Sequence, residues 1–488
     1  MLPTATRRIV YVSLLSAVVI GAAEPAASTS KRCFTVRDSI GMVRIVNSPD
    51  NPENPNARGT TATYSPDGSR FVVHTVRGDL QDNSLVETLL LYDTNGVERY
   101  LRASAASPQK PTILAELRTR NDWAGLRDIQ WIDANRVGFL AEGDNGASQI
   151  FLADTRTQRA RQLTHSQTNI ESYAISGNRL AYFARIVLAS PTVQEVNGHP
   201  FFELAYYERD PNLAPLDLYT SELTGTVPRK IAGPYRLGPM FRRIWMSPDD
   251  HHAVILAPAT NAPPVWAEYR YPHYDFLGYT PDKRSGDPTA WSLQSRSRFV
   301  LVDLTTGQSR PIVDAPNGLT ATGLSLDVFW PKGRNAVILS NTFLPLAGVR
   351  GADLKARREA PAVAEVDLRS GVSTPIVWVP VHRESAPSKS TAQRVIRSVS
   401  FDSERNVIRV GWQSANGETT FSGFEYKPEH WAQTAVNVQG DFHPVEVYRQ
   451  EDMNSWPRLM ADGLQCHCTK VLYDPTPEFN SINFGRAQ

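Results

Sequence analysis

The sequence predicts an all-β protein built from repeated antiparallel sheets, and three observations support this prediction. A Ser-Pro-Asp-Gly turn at residues 65–68 leads directly into an apolar, β-branched strand. Degenerate copies of this unit, in the order turn, strand, loop, strand, turn, follow along the chain. The 35 prolines and 30 glycines, without a long helical pattern, favour many short strands. Together they predict a β-propeller of antiparallel four-stranded blades.

The repeated units set the expected number of blades. Six units and a partial seventh are recognised at residues 60–101, 128–164, 170–220, 243–307, 324–371, 395–426 and 444–473. Seven blades are therefore favoured, and six are the alternative. A ring of blades needs its ends closed, so we expect a strand near residues 34–46 to pair with the C-terminal tail.

One residue type recurs at the same place in four units. An apolar strand ends in aspartate just before a turn at Asp93, Asp154, Asp303 and Asp367. Aspartate accepts hydrogen bonds from the backbone of the turn that follows it. We therefore assign these carboxylates a structural role and no chemistry.

Length and composition describe an ordinary globular protein. The chain has 488 residues, of which 41% are hydrophobic and 21% charged, with a formal net charge of +1. It is long enough to bury a large core. The near-zero charge gives no reason to expect a nucleic-acid partner.

Residues 1–27 have the pattern of a secretory signal peptide. Arg7 and Arg8 precede an apolar run at residues 9–20, and small residues follow it. The alternative is a membrane anchor, but the run is shorter than the ~20 apolar residues that a spanning helix needs. We therefore expect residues 28–488 to form an exported propeller domain, periplasmic or secreted, with no membrane span after cleavage.

The three cysteines lie near the two ends of the mature chain. In an oxidising compartment, a bridge from Cys33 to Cys466 or Cys468 would hold these ends together. Free thiols or a local Cys-x-Cys arrangement are the alternatives, and at least one thiol stays unpaired. No second ligand pair accompanies residues 466–468, so we predict no metal site.

The densest aromatic stretch, residues 264–279, interrupts the fourth unit and should form a long loop. Its aromatic side chains offer rigid contact area with polar tips, which suits the binding of a peptide. The alternative, which we favour, is that they pack against the blade or a neighbouring domain. The candidate substrate-binding residues are Trp266, Tyr269, Tyr271, Tyr274 and Tyr279.

The Ser-Pro-Asp-Gly units resemble the N-terminal propeller of the prolyl oligopeptidase family of serine peptidases. Within that family, residues 35–38, the aromatic stretch near Trp266, and the tail at residues 451–458 and 474–479 resemble the lasso peptide isopeptidase branch. The resemblance covers most of the mature chain. It implies a peptide ligand, with a lasso peptide as the candidate, and hydrolysis of an amide by a Ser-His-Asp triad.

The catalytic half of that family has no counterpart in this sequence. Gly-x-Ser-x-Gly, the turn that exposes the nucleophile in an α/β-hydrolase domain, does not occur. No catalytic residue is therefore assigned, and no cofactor is expected. One hypothesis is the substrate-gripping and gating propeller of a peptidase whose hydrolase domain is encoded separately. The other is a non-catalytic periplasmic binding or scaffold propeller.

Overall fold

A computed structural model describes most of the chain. The described residues are 31–46, 61–103, 107–120, 125–186, 193–196, 199–202, 214–225, 227–238, 241–259, 262–269, 296–322, 324–380, 394–403, 405–414, 417–428, 430–435, 444–452 and 455–483. Before the first large sheet come strand β1 (Arg32–Cys33) and helix α1 (Val36–Gly41).

Seven antiparallel sheets of three to five strands follow one another through the described chain. Blade 1 contains β2 (Arg44–Ile45), β3 (Ala62–Tyr64), β4 (Arg70–Asp79), β5 (Ser84–Asp93) and, after helix α2 (Thr94–Arg102), β6 (Thr112–Thr119). Blade 2 contains β7 (Arg127–Trp131), β8 (Arg136–Glu142), β9 (Ser148–Asp154) and β10 (Arg159–Gln162).

Blade 3 carries a small hairpin between its second and third large strands. Its elements are β11 (Ile170–Ser176), β12 (Arg179–Arg185), the hairpin β13 (Val193–Val196) and β14 (His199–Phe202), then β15 (Pro215–Glu222) and β16 (Arg229–Arg236). Blade 4 contains β17 (Ile244–Met246), β18 (His252–Pro258), a 3₁₀ helix (Pro264–Glu268), β19 (Ser297–Asp303) and β20 (Ser309–Pro311).

The last three blades continue the pattern. Blade 5 follows helix α3 (Leu319–Thr322) and contains β21 (Val328–Phe329), β22 (Ala336–Thr342), helix α4 (Gly351–Glu359), β23 (Ala362–Asp367) and β24 (Ser373–Trp378). Blade 6 contains β25 (Val395–Asp402), β26 (Val407–Gln413), β27 (Thr419–Lys427) and β28 (His430–Thr434). Blade 7 contains β29 (Val445–Asp452), β30 (Ser455–Gly463) and β31 (Cys468–Tyr473), followed by a 3₁₀ helix (Pro477–Ser481) and β32 (Ile482–Asn483).

Blades 1 to 6 bury their apolar faces against their neighbours in the series. Blades 1 and 2 share one buried cluster, blades 2 and 3 a second, blades 3 to 5 a third, and blades 5 and 6 a fourth. The last blade packs on the first, where Val447 and Leu459 join Phe71 and Tyr92. A series of sheets whose last member packs on its first is a ring, so the predicted all-β propeller of antiparallel blades is confirmed. The blade number of seven stays a prediction.

In blades 1 to 4 the first strands contact each other and lie innermost. β3 contacts β7 of the next blade, and β11 contacts β17. We call the end of blades 1 to 6 that carries the turn between first and second strands the turn face. The opposite end, where the second and third strands are connected, is the loop face.

Two turns on the turn face have the same hydrogen bonds. In blade 1, Ser65 N donates to Arg70 O and Gly68 N donates to Ser65 O, both at 2.8 Å. In blade 4, Ser247 N and His252 O are paired at 2.9 Å in the same way. The position of Gly68, at φ 67°, is taken there by Asp250 at φ 58°. This shared geometry explains why the motif recurs in degenerate form.

The recurring aspartates cap turns as predicted, with one difference. The Oδ1 atoms of Asp154, Asp303 and Asp367 each accept hydrogen bonds from the backbone N–H groups two and three residues later. Asp93 instead caps helix α2, with Gly96 N donating to Oδ2 at 2.6 Å. Residues 94–96, which we expected to be a turn, begin that helix because Val97 and Leu101 are buried against blade 7.

The two ends of the chain meet through an N-terminal and a C-terminal strand, as predicted. β1 pairs in parallel with β32, and Phe34, Met42, Trp456, Phe479 and Ile482 pack beside this pair. The pairing strand β1 immediately precedes residues 34–46, and the strand inside that segment, β2, pairs with β4. Most of that segment is helix α1, which begins with a capping box between Thr35 and Asp38. Within the described residues, no helix is long and apolar enough to cross a membrane.

Candidate functional site

The predicted aromatic residues that the structure describes are packing residues. Trp266 is 0% exposed and Tyr269 is 5% exposed, in a cluster with Ala315 and Phe343. Tyr269 donates its hydroxyl to Leu344 O at 2.9 Å, and burial raises the pKa of that hydroxyl. These two rings therefore offer no surface to a ligand. They pack inside the protein, which was the alternative that we favoured from the sequence. The remaining candidates, Tyr271, Tyr274 and Tyr279, lie outside the described residues.

The cysteines are arranged differently from the predicted bridge between the chain ends. The structure pairs Cys466 with Cys468 and leaves Cys33 as an exposed free thiol. Cys33 lies beside the terminal cluster at the Trp456 end of β30, whereas Cys466 contacts Gly463 at its other end. At about 3.3 Å per residue, these ends are about 23 Å apart, which is far beyond the reach of a disulphide.

A cavity of about 1030 Å³ opens on the turn face between blades 4 and 5. Much of its polar lining already has structural partners. Asp303 caps the turn before β20, Ser247 binds Asp249, and Arg310 donates to Leu368 O. The cavity is therefore a recess between turns, and its described charges hold those turns in place.

A second group of charges lies on the loop face, at the inner ends of blades 2, 3 and 4. Arg127 begins β7, Glu171 is near the start of β11, Arg185 ends β12, and Arg242 precedes β17. These are the ends of the strands farthest from the turn face. We call Arg127, Glu171, Arg185 and Arg242 the arginine cluster.

Glu171 holds the arginine cluster together. Its Oε1 accepts from Arg185 Nε, and its Oε2 accepts from Arg242 Nη1. Arg242 is 5% exposed and also donates from Nε to Leu237 O at 2.9 Å. A buried guanidinium needs such partners, because an unpaired charge in a protein interior is costly.

Arg127 joins the cluster from blade 2. Its Nη2 donates to Ser148 Oγ and to Ile170 O, both at 3.2 Å. Burial lowers the pKa of the Arg127 and Arg242 guanidinium groups, and repulsion between the arginines lowers it further. The carboxylates of Glu171 and Asp128 oppose this effect at Arg127. Because arginine stays protonated at physiological pH, the cluster is a fixed positive site that can bind an anion.

Only a weak sequence pattern indicates the arginine cluster. Arg127 and Arg242 each stand one residue before the start of a predicted unit, at the inner end of its first strand. A basic residue at that point in two units could have indicated the cluster. Its carboxylate partner belongs to a third unit, and no local pattern connects the three. Among the described residues, no group of three or more His, Cys, Asp or Glu could hold a metal ion.

Comparisons with known proteins place the chain among distant structural neighbours. No protein-family model and no curated protein matches it in sequence. Pyrococcus horikoshii acylaminoacyl peptidase is 11% identical, with a TM-score of 0.41, over 84% of this chain and 52% of that chain. This chain thus spans about half the length of that peptidase.

Two further solved structures are similar over most of this chain. TolB from Acinetobacter baumannii is 11% identical, with a TM-score of 0.34, over 88% of this chain and 95% of that chain. The AtxE2 isopeptidase in its apo form is 12% identical, with a TM-score of 0.24, over 82% of this chain and 60% of that chain. TM-scores this low carry no argument about activity, so the propeller assignment rests on the sheets themselves.

Proposed function

We propose that this chain is the substrate-holding propeller of an exported prolyl-oligopeptidase-like peptidase, of the lasso peptide isopeptidase type. In this role it grips a peptide on its loop face and gates access to a separately encoded hydrolase domain. The chain itself supplies no nucleophile. The sequence resemblance of the Ser-Pro-Asp-Gly units and of the tail motivates the choice of family.

The observation that carries the proposal is the position of the arginine cluster. It lies at the inner ends of three adjacent blades, on the face where β1 and β32 join the two ends of the chain. The longest connections between second and third strands, at residues 186–214 and 259–296, leave from the same face. A peptide and a hydrolase domain bound on this face would both lie next to the arginine cluster.

Two measurements on purified residues 28–488 test the proposal. Isothermal titration should detect binding of a lasso peptide, and a serine-directed fluorophosphonate should leave the chain unlabelled. Addition of the candidate hydrolase domain should then produce both labelling and cleavage. Absence of peptide binding would refute the substrate-holding role, and labelling of the isolated chain would refute its dependence on another domain.

The second candidate is a non-catalytic periplasmic binding or scaffold propeller. It is favoured by the absence of Gly-x-Ser-x-Gly from the sequence. The DNA downstream of the gene distinguishes the two candidates: an open reading frame with that motif supports the peptidase, and unrelated sequence supports the binding module. Cell fractionation tests the export that both candidates require.

A further inference from the structure

The arginine cluster carries more positive than negative charge. The guanidinium group of Arg127 lies near the carboxylates of Glu171 and Asp128, whereas those of Arg185 and Arg242 bind Glu171. The Asp128 carboxylate also accepts from Gln130 Nε2 at 2.8 Å. Among the described residues, the site thus has three guanidinium groups and two carboxylates. Such an excess is costly where burial limits solvation, and a bound anion would relieve it.

The unused hydrogen-bond donors lie on two of the arginines. Only Nε of Arg185 has a side-chain partner in the described structure, although a guanidinium offers five N–H donors. Arg127 uses Nη2, and its Nε and Nη1 have no partner among the residues described. The side chain of Arg185 is 30% exposed, so a ligand can reach it.

Glu171 and Arg242 fix the position of the Arg185 side chain. The Glu171 side chain is only 9% exposed and accepts from Arg185 on one oxygen and from Arg242 on the other. Arg242 is in turn fixed to Leu237 O. The free N–H groups of a partly exposed arginine can bind water or a ligand. Here the buried arginine is paired, and the partly exposed one keeps its outer Nη groups available.

We infer that Arg185 and Arg127 form a binding site for a carboxylate group, such as the C-terminus or an acidic side chain of a peptide. Two N–H groups of one guanidinium match the two oxygens of a carboxylate. That the ligand is a peptide rests on the proposed function; the anion site itself does not.

Paired peptides test the inference on purified residues 28–488. N-acetyl-Ala-Ala-Ala is titrated calorimetrically with a free C-terminal carboxylate and as its carboxamide, and a second pair compares an internal Asp with Asn. We expect the carboxylate forms to bind at least about tenfold more tightly, because a hydrogen bond to a charged carboxylate is stronger than one to a neutral amide. Arg185→Gln and Arg127→Gln should each reduce the preference to about twofold or less. A preference in the first pair indicates that the site binds a C-terminus, and a preference in the second pair indicates that it binds an acidic side chain.

Arg118→Gln is the matched control, because Arg118 is an exposed arginine paired with Asp79 and Asp82, both at 2.8 Å, away from the cluster. This variant should keep the full preference. Arg185→Lys keeps the positive charge but loses the paired N–H groups of the guanidinium, and should retain only part of the preference for the carboxylate form. Equal binding of carboxylate and amide by the wild type would overturn the inference and leave the proposed function standing.

Citrate separates the anion site from peptide binding. If neither peptide binds but citrate raises the melting temperature of the wild type and not of Arg185→Gln, the anion site is supported and the peptide-holding role fails. If citrate stabilises the wild type, Arg185→Gln and Arg118→Gln alike, the site is refuted.

Discussion

Arg242, which precedes the fourth blade, donates a hydrogen bond to Glu171 at the start of the third, 71 residues earlier in the chain. Both side chains are buried. Their contact links the inner ends of two blades and also orients Arg185. The same pair therefore contributes to stability and to the geometry of the arginine cluster.

Glu171→Gln should destabilise the protein and strengthen its response to anions. Loss of the carboxylate leaves Arg242 buried without its counter-charge, which costs about 3–5 kcal/mol. Urea unfolding measures this cost, and citrate should restore more stability to the variant than to the wild type. Glu98→Gln, which removes an exposed helix pair with Arg102, is the control and should cost about 0.5 kcal/mol or less. We expect the larger effect of citrate on Glu171→Gln because Glu171 and the anion compete for the same arginines. An equal stabilisation of wild type and Glu171→Gln by citrate would contradict this competition.

Glu87→Ala should weaken the interface between blades 1 and 2. Glu87 Oε2 lies 2.9 Å from His74 Nε2 and accepts from Leu126 N at 2.7 Å, in a buried position. Truncation leaves both groups unsatisfied, at a cost of about 3 kcal/mol in urea unfolding. Glu116→Ala, an exposed change on the neighbouring strand, should be nearly neutral. A loss below about 1 kcal/mol for Glu87→Ala would argue against the paired arrangement.

Asp303→Asn should reduce the loss of stability in acid. The N–H groups of Thr306 and Thr305 bind the Asp303 carboxylate and lower its pKa in the folded state. Its stabilising effect is therefore complete above the unfolded-state pKa of about 3.9 and is lost as the pH falls through the lower, folded value. Urea unfolding at pH 7 and pH 3 should show a smaller difference for Asp303→Asn than for wild type. Asp144→Asn, in an exposed turn, should behave like wild type.

Trp266→Ala should lower the free energy of unfolding without a direct effect on ligand binding. The indole is fully buried, so its removal should cost about 3–5 kcal/mol. Phe421→Ala provides an aromatic control at a side chain that is 44% exposed, and should cost less than about 1 kcal/mol. Calorimetric binding of the tripeptide to the folded fraction should match wild type. A specific loss of affinity would restore Trp266 as a ligand-binding residue.

Cys33 should be the one cysteine that alkylates in the oxidised, unreduced protein. It is exposed and about 23 Å from the paired Cys466 and Cys468, as set by the length of β30. Iodoacetamide labelling followed by peptide mass spectrometry checks this, with reduced protein as the control in which all three react. A cross-linked peptide that contains Cys33 and Cys466 would contradict the arrangement.

Several local features could be predicted because their hydrogen bonds span few residues. The Ser65 turn closes onto Arg70, and the Asp154 and Asp367 caps reach only three residues ahead. Such contacts recur with the repeat, so the sequence displays them directly. Helix α2 is the exception, since its residues 94–96 have turn composition and its apolar side chains become informative only when blade 7 packs on them.

By itself, the sequence determined the repeating turns and strands, and therefore the class of fold, because short-range backbone geometry depends on neighbouring residues. Tertiary structure alone decided the partners of Glu171, the burial of Trp266 and the separation of Cys33 from Cys466. Closure of the ring brings together or keeps apart residues that are tens to hundreds of positions distant, and no local periodicity records those distances.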